Sequence, residues 1–595
     1  MTRPWTRTLR VLDRAEKDGR RFLLEPEVYE VLKDAGISTP RRLFVPVGGK
    51  PGRRELRALG TPEVVVKIVS PLVVHKSDVG GVAVVKADPA AVVKACASMA
   101  RAVVARSRAS ERRAVRASIR GFLVVEKVAF DDVGFGSEIL LGLRNSPDFG
   151  PVLTVGSGGL DVEYMNARLK EGRAVAATSA HLLDEENART LLEPLAFFGK
   201  LAAAFRGRKP VVAPKVLVDT LLRFRDLAVA FSPYTAETPY VLEEAEVNPF
   251  VVRRGRLVPL DGLCRFSRIK AAVASRPVEA VGHLLKPSSM GIIGVSEKMN
   301  IGHIILNNIL GAGFPADKVV VVKPGPETIE GCRCVPSVAA MPAPVDLFVL
   351  TLGADQCYEV MKDLVDHGRA RSVILIAGGM AEKEGGASIE GRIRDLLAEG
   401  RRAGQPTPVV NGGNCLGVVS RPGRYDTLFI PEYKLPRPKN AGSATAVISQ
   451  SGAFMICRMS KMPSLEPVYS ISLGNQLDLT ASDYLRFLED DPAIRTFCVY
   501  MEGFKPGDGL AFARAVRGIT AAGRRVLVYK AGRTPEGRSA TSSHTASVAG
   551  DYDVFKAVCG EAGAIVAEDL FEYESLMKGL ARLEGRTAGG RRVGL

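Results

Sequence analysis

Gly291-Ile292-Ile293-Gly294-Val295-Ser296, with Gly302 opening the helix that follows, is the stretch that decides the fold. A short apolar strand closes on a glycine turn and passes into a helix start. That arrangement brings backbone N–H groups and the positive end of a helix dipole to one point, which suits an anionic ligand. Any doubly wound domain needs such a turn, so its neighbours decide the class. Val319–Val322, Leu347–Leu352, Ser372–Ala377 and Val409–Asn411 are further apolar runs separated by helix-length segments. Strands buried on both faces read in this way, and a parallel doubly wound sheet is expected over residues 287–435.

Leu435-Pro436-Arg437-Pro438-Lys439-Asn440-Ala441-Gly442-Ser443 is a linker by composition. Beyond it the alternation resumes. Ala446–Ser449, Val468–Ser472, Thr496–Met501, Arg525–Lys530 and Ile565–Val566 predict a second, flavodoxin-like unit over 443–583. Residues 1–275 mix their elements differently. A helix is expected at Glu25–Ala35, and strands at Arg42–Val45, Val64–Val69, Phe122–Val128 and Glu138–Leu143. A basic helix falls within Arg101–Arg120, a long helical stretch runs from Asp184 to Phe205, and a hairpin lies between Asn248 and Asp261. This reads as α+β with a mixed or antiparallel sheet. Residues 584–595 look like the truncated start of a further subdomain.

A chain of 595 residues should hold three or four domains, because single cores stop growing beyond ~250–300 residues. Its 46% hydrophobic and 25% charged content is that of ordinary globular protein. The net charge of +16 lies largely on arginines of helix faces and favours anionic ligands such as nucleotides or coenzyme A. Nucleic acid is not an expected partner, with one Trp, no zinc spacing and no aromatic–basic stripe. Nine cysteines without a C-x-x-C pair argue for a reducing compartment. No signal-like segment and no apolar run near the ~18 residues of a membrane span are present, so a cytoplasmic chain without membrane partners is expected.

Two histidines stand in surroundings suited to phosphoryl transfer. His544 lies in Ser542-Ser543-His544-Thr545-Ala546-Ser547, and His75 in Val74-His75-Lys76-Ser77-Asp78-Val79-Gly80-Gly81. A neutral imidazole can act as a nucleophile and form a covalent intermediate. Ile448-Ser449-Gln450-Ser451-Gly452-Ala453-Phe454 repeats the strand, small-residue turn and helix, and its helix start can face a phosphate on His544. Glu502, at the end of an apolar strand, can accept a hydrogen bond from the second ring nitrogen of a histidine. Lys67, Glu126 and Glu138 can hold ATP, while Asn248 and Asp261 offer the oxygen ligands that magnesium takes beside nucleotide phosphates. Asn411-Gly412-Gly413-Asn414-Cys415 follows a strand and can meet a ligand at the same sheet edge, with Cys415 read as a buried structural thiol. Taken singly, each of these residues also has an ordinary structural reading.

Together the segments resemble the NDP-forming acyl-CoA synthetases, the ADP-forming acetate–CoA ligases among them, and more distantly succinyl-CoA synthetase. The resemblance rests on Val74–Gly81, Phe135-Gly136-Ser137-Glu138, Asp148-Phe149-Gly150-Pro151, Glu246-Val247-Asn248-Pro249, Asn414-Cys415-Leu416-Gly417, Ser449-Gln450-Ser451-Gly452-Ala453 and Ser543-His544-Thr545, in consistent order over about residues 20–585. It implies an α/β multidomain chain: an ATP-grasp domain, a Rossmann-like CoA-binding domain, then a flavodoxin-like succinyl-CoA-synthetase-type domain. It also implies a reaction in which carboxylate, ATP and CoA give acyl-CoA, ADP and phosphate through acyl phosphate and phosphohistidine. On this sequence His544 would take the phosphate, Glu502 orient it, Ser451, Gly452 and Ala453 bind it, and His75 relay it. ATP would use Lys67, Glu126 and Glu138, with Mg2+ on Asn248 and Asp261. Coenzyme A would lie along Gly294, Ser296, Lys323, Gly378 and Asn414. Val322-Lys323-Pro324-Gly325 departs from the family's Asn-Pro-Lys loop, and Ala546 stands where glycine is common. A small carboxylic acid is the expected substrate, with Gly474-Asn475-Gln476-Leu477-Asp478 a candidate wall of its pocket. The expected partner is a second copy of the chain, or a subunit supplying the further ligase subdomain. The alternative is a catalytically weak CoA- and nucleotide-binding regulatory protein, or an incomplete subunit.

Overall fold

The computed structural model describes residues 5–584 and 586, apart from 74–75, 132–133, 135, 160, 171, 205–208, 236–237, 270–275, 381–383, 437–441 and 534–551. Two compact units divide the chain: Met1–Ser146 with Gly150–Ala271, and Pro147–Phe149 with Ala272–Leu595.

The first unit holds two sheets, antiparallel throughout. In the smaller, Arg42–Pro46, Gly121–Glu126, Glu63–Val69 and Val82–Lys86 lie in that spatial order. Side chains alternate along a strand. Val64, Val66 and Ile68 therefore share one face, where they cluster with Val92, Cys96, Met99 and Val103 of the helix Pro89–Arg106. The same alternation sends Lys67 to the other face. The Asp88 carboxylate starts that helix by accepting from the N–H groups of Ala90 and Ala91 at 3.0 and 3.1 Å, with proline in the first turn.

The larger sheet runs Leu263–Arg268, Tyr240–Arg253, Ile139–Ser146, Gly150–Ser157, Val175–Ser179, with Arg256–Pro259 pairing Tyr240–Arg253. Leu217, Leu221, Phe224 and Ala228 recur at helical spacing along Pro214–Ala230 and are buried in the core beside this sheet. The long helix expected from Asp184 is instead two, Glu185–Leu192 and Ala196–Leu201. Pro194 is the reason: it has no N–H to continue the ladder and disfavours helical geometry at the residue before it.

The second unit holds two seven-stranded, mostly parallel sheets. In one, Met290–Ile293 is central. Val319–Val322 and Cys332–Val335 follow on one side, and Val345–Leu350, Ala370–Leu375 and Val409–Gly412 on the other. The strand order reverses between Met290–Ile293 and Val345–Leu350, as in dinucleotide-binding sheets. In the other sheet Ser443–Ser449 is central, flanked by Pro467–Ser472 and by Thr496–Met501, Arg525–Lys530 and Ile565–Val566. Its order reverses between Ser443–Ser449 and Thr496–Met501, the flavodoxin pattern. Two features were not expected from the sequence. Cys332–Val335 is a strand, too short and mixed to stand out as an apolar run. Val418–Ser420 and Tyr425–Asp426, which precede the linker, add an antiparallel edge to the second sheet.

No helix among the described residues is long and apolar enough to cross a membrane. All nine cysteines are free, and Cys457 is the exposed one. Burial pushes the Cys415 thiol up to about 12, which leaves it almost wholly un-ionised at neutral pH. Iodoacetamide at pH 8 is expected to modify Cys457 rapidly and to spare Cys415 in the folded chain; rapid labelling of Cys415 by peptide mass spectrometry would contradict the packing.

Candidate active site

In open α/β sheets the ligand crevice forms where strand order reverses, outside the carboxyl ends of the strands. Both reversals of the second unit open into one cleft of about 910 Å³. From the first sheet it takes Thr351 and Gly353, beyond Val345–Leu350, with Ile301 at the head of the helix Ile301–Gly311. From the second it takes Gln450, Ser451, Gly452 and Ala453, beyond Ser443–Ser449, and Tyr500 and Glu502 at the end of Thr496–Met501. Ile301, Gly353 and Gly452 each stand at a helix start, so three helix N-termini meet there. Such ends attract negative charge.

Close backbone approach sets the turns. Gly294 has φ +94°, and a Cβ there would come within 2.3 Å of Thr351 Oγ1. A Cβ on Gly302 would meet the Gly294 carbonyl oxygen at 2.5 Å. Asn300 caps the helix, its Oδ1 accepting from His303 N–H at 2.9 Å while Nδ2 donates to the Gly294 carbonyl at 2.8 Å. The Ser451 hydroxyl caps the corresponding helix of the second sheet by accepting from Phe454 N–H at 3.2 Å.

Glu502 is 9% exposed and held by its own backbone. Gln450 Oε1 accepts from the N–H groups of Glu502 and Gly503 at 2.8 and 3.1 Å, and Tyr500 donates to Glu502 Oε1 at 3.3 Å. Tyr500 in turn stacks on Phe454 with ring centroids 3.7 Å apart, and burial raises its pKa. Opposite, Asn475 N–H donates to the Gly413 carbonyl at 2.8 Å and Leu477 N–H to the Gly412 carbonyl at 2.6 Å. Asp478 clamps Arg401 through two bonds of 2.7 and 2.6 Å. The stretch Gly474–Asp478 thus ties the two sheets together, and its first two residues form cleft wall.

Of the residues named from sequence, Gly378, Asn414, Ser451, Gly452, Ala453 and Glu502 come together in this cleft. Gly294 lies against it through Thr351. Ser296 and Lys323 do not line it. The Ser296 carbonyl is held by His303 Nδ1 at 2.6 Å, and Lys323 N–H pairs with the Val335 carbonyl at 2.8 Å. His544 falls outside the described residues. Thr351 and Phe429, which line the cleft, were missed; for Thr351 the signal was present, an apolar strand closing on Thr-Leu-Gly before a helix.

The first unit carries a separate cavity of about 230 Å³ that brings Asn248 and Asp261 together with Glu25, Lys76 and Glu246. Glu25 is its hub, with a side chain 1% exposed. Lys67 Nζ donates to Glu25 Oε1 at 2.6 Å, Lys76 Nζ donates to Oε2, and Tyr29 donates to Oε1 at 3.0 Å. Lys76 also reaches Asp261 Oδ1 at 3.1 Å. Burial works against the charge on both Lys76 and Asp261, but the opposite charges win: Lys76 is raised by Glu25 and Asp261, and Asp261 is lowered by Lys67 and Lys76. Asn248 Oδ1 accepts from Gly159 N–H at 2.8 Å, and Glu138 lies against the same glycine. Glu246 is raised by burial and then by Glu244, so a cation would settle it. Among the described residues no three His, Cys, Asp or Glu side chains form a metal cluster. The oxygens of Asn248, Glu246 and Asp261 fit magnesium of the kind that takes one or two carboxylates and completes its shell with phosphates and water.

Glu126, expected in the nucleotide set, is paired here with two arginines. Its carboxylate, 4% exposed, is committed to Arg41 at 2.9 and 3.2 Å and to Arg253 at 3.0 Å. Burial alone would raise it, yet the Arg41 and Arg253 contacts hold it below the usual glutamate range. A lowered folded-state value stabilises at pH above the ordinary glutamate range, and the gain is lost as pH falls through the lowered value. Glu126→Gln is expected to lose stability at neutral pH and to flatten the acid limb; urea midpoints from pH 7 to about pH 3 with the same slope in both proteins would contradict this. Val74 and His75 fall outside the described residues. Glu25, Lys76 and Tyr29 were missed, since nothing local in the sequence joins a helix-start glutamate to lysines in other segments.

The first unit is thus an antiparallel two-sheet body with a lysine–carboxylate cavity, and the second holds two doubly wound sheets that share a cleft. Residues 14–265 match the ATP-grasp domain family, 288–421 the CoA binding domain family and 442–580 the succinyl-CoA ligase like flavodoxin domain family. The chain is 29% identical over 556 residues to the acetate–CoA ligase (ADP-forming) II of Archaeoglobus fulgidus, covering 91% of itself and 73% of that protein. It is 31% identical over 308 residues to the alpha subunit of the acetate–CoA ligase (ADP-forming) I of Pyrococcus furiosus, spanning 50% of itself and 63% of that subunit. It is 28% identical over 258 residues to the beta subunit of the same enzyme, spanning 42% of itself and 94% of that subunit. In its domain content and order the chain is similar to ADP-forming acetate–CoA ligases.

Proposed function

We propose that the chain is an ADP-forming acid–CoA ligase: carboxylate, ATP and coenzyme A give acyl-CoA, ADP and phosphate. The observation that carries the reading is the shared cleft, where Glu502 and the helix start Ser451–Ala453 face the turn beyond Val345–Leu350 across one space. The His75 imidazole attacks the γ-phosphorus of ATP and ADP leaves; His544 takes the phosphoryl group from His75, restoring His75, and passes it to the carboxylate, restoring His544 and giving acyl phosphate; the CoA thiol then displaces phosphate. Glu502 accepts a hydrogen bond from the second ring nitrogen, fixing the tautomer and supporting positive charge on the ring. Ser451, Gly452 and Ala453 bind phosphate oxygens through N–H groups and dipole. Coenzyme A uses Gly294, Gly378 and Asn414, with Ser296 and Lys323 at the margin.

In the first domain His75 serves as the second phosphate relay, Lys67, Glu126 and Glu138 hold the nucleotide, and Asn248 and Asp261 would hold magnesium, which when bound screens phosphate charge. A reducing cytoplasm suits nine free cysteines. The alpha and beta names of the Pyrococcus furiosus relatives support assembly with a further copy or subunit. The test is product analysis with Mg-ATP, CoA and a panel of carboxylic acids. Acid-dependent ADP, phosphate and acyl-CoA in equal amounts are expected; AMP and pyrophosphate, or no acid dependence, would reject the reading.

A further inference from the structure

A second cavity of the second unit, about 260 Å³, lies at the far ends of two helices that open on the cleft. Ile301–Gly311 starts at the cleft with Ile301 and reaches this cavity with Asn308 and Gly311. Gly452–Lys461 starts at the cleft with Gly452 and reaches it with Met459. No residue assigned to the synthetase reaction lines it.

Its polar groups are incompletely used. Asn308 is 9% exposed; Nδ2 donates to the carbonyls of Leu428 at 2.6 Å and Ile430 at 3.0 Å, and among the described residues nothing donates to Oδ1. Arg421 gives its Nε–H to the Pro467 carbonyl at 3.3 Å, while its two Nη groups have no hydrogen bond or ion pair among the described residues. Burial holds Arg421 below the usual arginine range despite the attraction of Glu466 and Asp426. A guanidinium so placed is short of an anion. Glu466 also lines the cavity and forms no ion pair among the described residues, and the C-terminal ends of both helices add partial negative charge. Met459 and Met462 provide an adaptable apolar floor.

The lining carries both signs, Arg421 and Arg424 against Asp426, Glu432 and Glu466, so a plain acid would meet Arg421 but face Glu466, and a plain amine would do the reverse. A zwitterion satisfies both. The volume is on the order of eight or nine waters' share of liquid, which suits a metabolite rather than a cofactor. We propose that this cavity binds a free α-amino acid with an apolar side chain, its carboxylate on Arg421, its ammonium towards Glu466 and Asn308 Oδ1, and its side chain on Met459 and Met462.

The test is calorimetric titration of the full chain with L-leucine, with 4-methylpentanoate and 3-methylbutylamine as analogues lacking one charge each. Saturable binding of leucine is expected, weakened roughly tenfold or more for either analogue and in Arg421→Ala. Met459→Trp, which fills the cavity and leaves the charges in place, is expected to lose binding with an unchanged melting temperature, so the result does not hang on how Arg421→Ala folds. Glu502→Gln, in the cleft, is expected to bind leucine as the wild type does. No saturation by leucine, equal binding in Met459→Trp, or equal binding of 4-methylpentanoate would overturn the proposal.

Discussion

Glu502→Gln is expected to lower turnover by roughly 10²–10⁴-fold with little change in KM. The size follows from how the carboxylate is held. Its backbone is pinned by Gln450 and its Oε1 receives the Tyr500 hydroxyl, so the side chain is fixed before any substrate arrives. Glutamine keeps the shape and removes the charge. The loss then falls on the step in which the histidine ring gains positive charge, and an interaction made only there lowers kcat rather than raising KM. Steady-state rates with the best acid of the panel check it. A variant within a few-fold of wild type would mean that Glu502 is only a strand-end residue.

The second large effect is on stability. Glu25→Ala removes the carboxylate that faces Lys67, Lys76 and Tyr29 and leaves two half-buried or buried ammonium groups short of their partner. Breaking a buried ion pair from one side costs about 3–5 kcal/mol, a large part of the ~5–15 kcal/mol that holds a domain together. Asp261 still meets Lys76 and Lys67 keeps the Leu260 carbonyl, which offsets part of the loss. Trp5 is the sole tryptophan and is buried in the first unit's core, edge-on to Phe231. Its fluorescence in urea therefore reports on the unit concerned. A much lower midpoint is expected for Glu25→Ala and a smaller drop for Glu25→Gln, which can keep some hydrogen bonds; an unchanged Trp5 transition in Glu25→Ala would contradict the role of the hub.

What the sequence made legible was what is local. Gly294 and Gly302, the runs from Leu347 and Ser372, and the repeat of the same signal at Ser451–Ala453 pointed to the doubly wound sheets, because each turn writes its glycine and helix start into a few consecutive residues. Glu502 could be found as a carboxylate closing an apolar strand. The first unit was harder, because its site is assembled across antiparallel strands. Lys67 was visible as one cation inside an apolar strand, but its partner Glu25 lies at a helix start far along the chain. Glu126 was legible as a strand carboxylate, but its pairing with Arg41 and Arg253 was not, because both arginines lie in other segments. The helix from Asp184 breaks at Pro194, whose missing N–H outweighs the helical propensity on either side.

The central claim is that His544 carries the phosphoryl group. The direct measurement is peptide mapping of the full chain after incubation with Mg-ATP, looking for base-stable, acid-labile phosphate. Phosphate on the His544 peptide, absent in His544→Ala and discharged on adding the carboxylic acid and CoA, is the expected result. Phosphate wholly absent from that peptide, or ADP-forming activity that survives in His544→Ala, would contradict it.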